Sequence, residues 1–422
     1  MTVTVHHGDS RDVLKTLATA SIDSVVCDPP YALVSIGKRF GAENAAPSKA
    51  GKTGAYARAS AGFMGQKWDT GETAFDPEFW AEVLRVLKPG GHLIAFSATR
   101  TYHRLACAIE DAGFEMRDMI AWLYGSGFPK SHDVSKGIDK AAGAVREVVS
   151  RGDAVKRMIP GADQAKAGWE KTDGREFVPT VTAPATPEAA QWDGWGTALK
   201  PALEPIVLAR KPLSGTVAAN VLVHGTGALN IGAGRVGMRE GRTLNRSTGI
   251  GYGGSEAQGA VTDGGQGRWP ANVIHDGSDE VVSAFPDTSS GGYPSAGGMR
   301  SHGDVYGKPN ERGEPAFGGS EGSAARFFYS AKADAADRCG SKHPTVKPTD
   351  LMAYLCRLVT QPGGVVLDPF AGSGSTGMAC LREGFDCILI EREAQYVADI
   401  HHRIAHVSGM DAGLFAAAGA AA

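Results

Sequence analysis

The chain has 422 residues, of which 42% are hydrophobic and 21% charged, with a formal net charge of −3. That balance is that of a soluble globular protein, and no apolar run approaches the ~20 residues that a membrane-spanning helix needs. The length implies two domains, or one with a large insertion, and the near-neutral charge leaves DNA open as a partner, because phosphate binding needs a local basic surface rather than a basic average.

The first 128 residues alternate strands and helices. The start, MTVTVHHGDSRDVL, has no basic region followed by an apolar core, so no secretory signal is read and a cytoplasmic location is expected. Residues Thr2 to His6 are β-branched and alternating, which predicts a strand, and Ser10 to Leu17 predict a short helix. Ile22 to Cys27 form a compact apolar strand that Asp28-Pro29-Pro30 must stop, since proline cannot donate to a ladder. Residues 35–75 read as a long loop carrying Phe63 and Trp68. Glu78 to Leu87 predict a helix, Lys88-Pro89-Gly90-Gly91 its end, and His92 to Phe96 a strand. Tyr102 to Ala112 and Met116 to Leu123 predict a further helix and strand.

Residues 129–199 read as an insertion, and 200–212 as a returning sheet strand centred on Ala202 to Ala209. Residues 213–339 are rich in Gly, Ser, Arg and Asn and predict an irregular region that orders on its ligand. The α/β pattern returns over 340–408: helix Asp350 to Val359, strand Val365 to Asp368, a tight turn at Gly372-Ser373-Gly374, helix Ser375 to Arg382, strand Cys387 to Glu391 and helix Ala394 to Ile404. Residues 409–422 read as a flexible tail. Two α/β pieces flanking an irregular middle predict one α/β fold, a mostly parallel sheet built from both ends of the chain.

Two motifs carry chemistry. In Asp368-Pro369-Phe370-Ala371-Gly372-Ser373-Gly374, a buried strand feeds a glycine turn at a helix N-terminus, and Glu391 ends the next strand where a carboxylate suits ribose hydroxyls. This fits any adenosine-bearing cofactor; residues 372–377 also satisfy G-x-G-x-x-G, so a nicotinamide-dependent oxidoreductase stays open. In Asp28-Pro29-Pro30-Tyr31, the Asp28 carboxylate and the Pro29 carbonyl can accept the two N–H bonds of an exocyclic amino group, whose lone pair is otherwise delocalised, while Tyr31 stacks on the base. Its place after a strand is where open α/β sheets bind ligands.

Together the motifs resemble the β group of DNA amino-methyltransferases, in which D-P-P-Y precedes the glycine motif and a target-recognition region lies between them. The resemblance extends to His7-Gly8-Asp9, to Leu87-Lys88-Pro89-Gly90-Gly91 and to His343-Pro344-Thr345-Val346-Lys347-Pro348. It implies a Rossmann-like methyltransferase sheet with one antiparallel strand, S-adenosyl-L-methionine as cofactor, double-stranded DNA as partner and a flipped base as substrate. It implies Asp28, Pro29, Pro30 and Tyr31 as catalytic residues, Asp9 at the cofactor adenine, Lys347 at its methionine end, and Asp368, Phe370, Ala371, Gly372, Ser373, Gly374 and Glu391 around the rest. Asp at the head of the motif favours adenine N6 over cytosine N4, where Ser is commoner. Arg235, Arg239, Arg242 and Arg246, opposed only by Glu240, are candidate phosphate or guanine contacts, although a solvated charge run has the same look. None of the six cysteines follows a proline, which argues against cytosine-C5 chemistry. No Cys or His spacing matches a metal site, so no metal is expected. A homodimer, a companion restriction endonuclease and an RNA substrate stay open.

Overall fold

The computed structural model describes residues 1–31, 73–127, 131–152, 155–156, 176–177, 179–236, 267–289, 322–331, 335–341, 343 and 345–408. The chain divides into a large unit, Met1–Gly125 with Leu203–Ala422, and a small one, Ser126–Ala202. In chain order the elements are β1 (Val3–His7), α1 (Ser10–Thr16), β2 (Ile22–Cys27), α2 (Pro77–Val86), β3 (Leu87–Phe96), α3 (Tyr102–Asp111) and β4 (Glu115–Leu123). The small unit holds α4 (Val134–Ala141), β5 (Val148–Arg151), β6 (Val155–Lys156), β7 (Glu176–Phe177), β8 (Thr180–Thr182) and α5 (Pro187–Gln191). The large unit resumes with β9 (Leu203–Arg210), α6 (Val217–His224), α7 (Ile231–Gly234), β10 (Val273–His275), α8 (Asp279–Ala284) and β11 (Tyr329–Ser330). It ends with α9 (Thr349–Val359), β12 (Val365–Asp368), α10 (Ser375–Glu383), β13 (Asp386–Glu391) and α11 (Ala394–Ser408).

Among the described residues, nine strands form one sheet in the order β1-β13-β12-β2-β3-β9-β4-β10-β11. Every neighbouring pair is parallel except those of β9, which runs antiparallel to both β3 and β4. Both chain ends therefore meet in one sheet, as the residue pattern predicted. Strands buried on two faces read as continuous apolar runs, and alternate residues of each strand serve different cores. Ile94 and Phe96 of β3, with Ile206 and Leu208 of β9, pack with α9, α10 and α11. Leu93 and Ala95, with Val207 and Ala209, pack with α1, α2 and α3. Helix α9 is nearly all buried, and its Tyr354 stacks on Tyr329 of β11 at 3.9 Å.

Two expectations change. The Lys88-Pro89-Gly90-Gly91 segment does not precede the strand but lies within β3 as a bulge, where Ile22 faces Leu87 and Ser24 already faces His92. Gly90 has φ +79°, and a Cβ there would fall 2.4 Å from the Asn220 amide that donates to the Pro89 and Thr226 carbonyls, so only glycine fits. Parts of 213–339 are also regular: β10 and β11 extend the main sheet beyond β4, and α6 to α8 belong to the same unit. The loop 35–75 with Phe63 and Trp68 lies almost wholly outside the described residues.

In the small unit, β5 pairs with β8 and β6 with β7. Its anchor is Asp139, which accepts from Arg146, the Ala185 and Thr186 amides and the Thr186 hydroxyl.

Candidate active site

Strands β2 and β12 are neighbours, yet β2 is followed by β3 on one side and β12 by β13 on the other. This is the point at which strand order reverses, and ligands of open α/β sheets bind beyond the carboxyl ends of such strands. The two motifs occupy those two ends. Asp28-Pro29-Pro30-Tyr31 leaves β2, and Pro369 to Gly374 leaves β12.

At the first, Lys347 Nζ donates 2.7 Å to Asp28 Oδ2 and 2.9 Å to the Tyr31 hydroxyl, and lies 3.2 Å from Glu204 Oε2. The Tyr31 hydroxyl donates 3.0 Å to Glu204 Oε2, and the Tyr31 carbonyl accepts from Thr101 at 3.1 Å. Asp28 Oδ1 is buried and has no partner. An acceptor so placed is costly unless something donates to it. Burial lowers the affinity of the Lys347 ammonium for its proton, but the Asp28 and Glu204 carboxylates outweigh that and hold its pKa above the usual lysine range. Burial, then the charges of Asp28 and Glu204, push the Tyr31 phenol well above its ordinary value, so it stays a neutral donor.

At the second, Gly372 has φ +52° and Gly374 φ +80°. Gly372 N donates 2.8 Å to Glu391 Oε2, whose other oxygen accepts the Glu393 amide. Burial raises the Glu391 carboxyl. A Cβ on Gly372 would lie 3.2 Å from His343 Nε2, so the 343–347 segment covers the turn closely. The Ser10 hydroxyl donates to the Pro369 carbonyl and Gly8 N to the Glu391 carbonyl, which brings the start of α1 to the same edge. Asp9 there caps α1 through the Arg11 amide and pairs with the Arg11 side chain, mainly by that hydrogen bond holding its carboxyl below the usual range.

Several of the expected site residues have partners within the chain. Lys347 meets Asp28, Tyr31 and Glu204, because the 345–348 segment enters α9 beside β2. Asp368 is 2% exposed, and its oxygens accept the Phe370 amide and the Thr376 hydroxyl, which ties the end of β12 to the turn and to α10. Phe370 packs on the Phe79 and Trp80 rings of α2. The Ala371 amide donates to Ile390 O. Arg235 donates to Gly267 O and lies over Trp269, whereas Arg239, Arg242 and Arg246 are outside the described residues.

Two residues escaped the sequence reading. Glu204 completes the Asp28 cluster. Arg403, fully buried in α11, donates 2.5 Å to both Ser373 O and Asp337 O, and reaches Ser373 Oγ and Ser375 Oγ. Ser375 Oγ in turn donates to Lys347 O, so one guanidinium ties the glycine turn to the lysine segment. Among the described residues, no group of three or more His, Cys, Asp or Glu stands together to hold a metal, and no helix is long and apolar enough to cross a membrane.

A family model described as DNA methylase, of the N6/N4 methyltransferases, matches residues 22–145 and 290–402. YubD of Escherichia coli (strain K12) is 46% identical over 65 residues, which are 15% of this chain and 29% of that protein. Type II methyltransferase M2.DpnII of Streptococcus pneumoniae is 37% identical over 68 residues, which are 16% of this chain and 25% of that protein. The chain thus spans less than a third of the length of these curated relatives. It is also similar to the crystal structure of an M1.HpyAVI–SAM complex, with TM-score 0.39 and 15% identity, over 95% of this chain and 98% of that one. Since the family model covers more than half of its 422 residues, and both matched segments border the sheet edge where Asp28 and the glycine turn meet, the chain belongs to the DNA methylase family of the N6/N4 type.

Proposed function

We propose that the protein transfers a methyl group from S-adenosyl-L-methionine to adenine N6 in double-stranded DNA. The observation that carries this reading is the buried, unpartnered Asp28 Oδ1 at the sheet's reversal point, beside a glycine turn on the adjacent strand. The donor set suits the cofactor: Asp9 and Glu391 offer carboxylates for adenine and ribose, and Gly372 to Gly374 a turn without side-chain bulk at its two glycines. S-adenosylmethionine supplies an electrophilic methyl on a sulfonium.

The chain's own residues then do three things. Asp28 Oδ1 and the Pro29 carbonyl accept the two amino N–H bonds, which frees the nitrogen lone pair from the ring. Tyr31 stacks on the base, which is flipped from the duplex at a cost of a few kcal/mol. The Asp28 carboxylate stays beside the nitrogen as it becomes cationic, and the surplus proton then passes to solvent. Transfer is direct and in-line, resting on position and electrostatics. Residues 213–339, with Arg235, Arg239, Arg242 and Arg246, supply target contacts; a homodimer and a companion endonuclease remain proposals of the same kind.

The preference for adenine rests on Asp28 heading the motif. Mass spectrometry of nucleosides from DNA treated with the pure protein tests it: N6-methyladenine is expected, and N4-methylcytosine alone refutes the choice of base. Calorimetry with S-adenosylhomocysteine and NADH tests the cofactor, and tight NADH binding without response to the homocysteine compound reverses the reading.

A further inference from the structure

Glu204 is the second residue of β9 and faces Trp122 of β4 in register. Because β9 runs against its neighbours, its beginning lies at the edge where parallel strands end, and Glu204 reaches a site otherwise built from the Asp28–Tyr31 loop after β2 and the segment that enters α9. An ammonium has three donors and no acceptor. Those of Lys347 face Asp28 Oδ2, the Tyr31 oxygen and Glu204 Oε2. The Tyr31 hydroxyl cannot donate to that ammonium, so its proton points to Glu204. Lys347 in turn blocks one oxygen of Asp28 and leaves the other bare.

We propose that Glu204 is a positioning residue for methyl transfer. It shares the Lys347 ammonium with Asp28 and fixes the Tyr31 ring through its hydroxyl. The proposal rests on the reading of Asp28 and Tyr31 as the base-binding loop. With Glu204 present, one cation sits among two carboxylates and the cluster is anionic. Without it, the ammonium cancels Asp28 and the cluster is neutral. An anionic cluster favours both the sulfonium donor and the amino nitrogen that turns cationic on accepting the methyl. Tyr31 is held at two points, its carbonyl by Thr101 and its hydroxyl by Glu204 and Lys347, which limits the freedom of the ring before the base arrives.

The test uses the full chain, labelled S-adenosylmethionine and duplex DNA shown by mass spectrometry to be modified. Glu204→Gln keeps the shape and an acceptor for Tyr31 but removes the charge. The expected result is a kcat lower by about 10- to 100-fold, within the coupling range of residues in one hydrogen-bonded network, with the DNA KM and S-adenosylhomocysteine affinity changed by no more than about threefold. Lys347→Met alone and with Glu204→Gln completes a cycle. If Glu204 acts through Lys347, the second substitution adds little to the first. An unchanged kcat, or losses that multiply in the double variant, overturns the proposal. Should Glu204→Gln fail to fold, Tyr31→Phe removes only the hydroxyl that Glu204 holds, and an unchanged kcat there overturns it equally. A wild-type protein inactive on every DNA tested defeats the methyltransferase reading instead.

Discussion

Asp368 makes the sharpest prediction about stability. Its carboxyl is buried beneath the glycine turn, and burial, outweighing the hydrogen bonds from Thr376 and the Phe370 amide, raises its pKa from an ordinary 3.8 to about 7. The unfolded chain releases this proton near pH 4, the native one near pH 7. Between those values the native state holds the extra proton, so stability falls as pH rises; below them the contribution is flat, and above them the whole cost is present. A displacement from 3.8 to about 7 corresponds to about 4 kcal/mol, an upper figure for a group that relaxation and water can relieve. Asp368→Asn resembles the protonated carboxyl: its oxygen accepts the Phe370 amide and its NH2 faces the Thr376 hydroxyl. The variant should match wild type near pH 3 and exceed it by as much as about 4 kcal/mol at pH 8. Urea unfolding of cofactor-free protein at several pH values measures this. Parallel stability curves for the two proteins would show that Asp368 is ionised in the native state and that burial does not govern it.

Other outcomes follow from the geometry. Asp28→Ala should lower methyl transfer by about 100-fold or more while leaving S-adenosylhomocysteine binding nearly intact; unchanged turnover removes Asp28 from the chemistry. Gly90→Ala places a Cβ 2.4 Å from Asn220 Nδ2 at a φ of +79°. It should cost at least about 2 kcal/mol in urea unfolding, from backbone strain and overpacking together. Arg403→Met strips donors from the Ser373 and Asp337 carbonyls. It should cost about 3 kcal/mol and weaken S-adenosylhomocysteine binding, both by calorimetry; full affinity would show that the turn keeps its shape alone.

What could be read from the residues is what depends on local pattern. Val365 to Asp368 and Ile22 to Cys27 are apolar runs cut off by proline or glycine, and both became central strands with their motifs at the same edge. What could not be read depends on pairing. Ala202 to Ala209 reads as a strand, but the role of Glu204 follows from the direction of β9, which eight residues do not encode. Arg403 follows the apolar position of Ile400 and precedes Ile404, so in sequence it resembles a solvated charge on an amphipathic helix, although it is the most buried cation near the turn. Strands β10 and β11, of three and two residues, are too short for any periodicity to register. Lys347 was singled out by its segment, but its partners, Asp28 and Tyr31 after β2 and Glu204 in β9, needed the fold.

Leu123 at the end of β4 pairs with Leu203 at the start of β9. The chain departs β4 and rejoins β9 at facing positions, so everything between is, to the sheet, the loop of one hairpin. Closing a loop costs only about 0.6 kcal/mol more for each doubling of its length. A tight turn or a folded module can therefore occupy that interval with little effect on the nine strands.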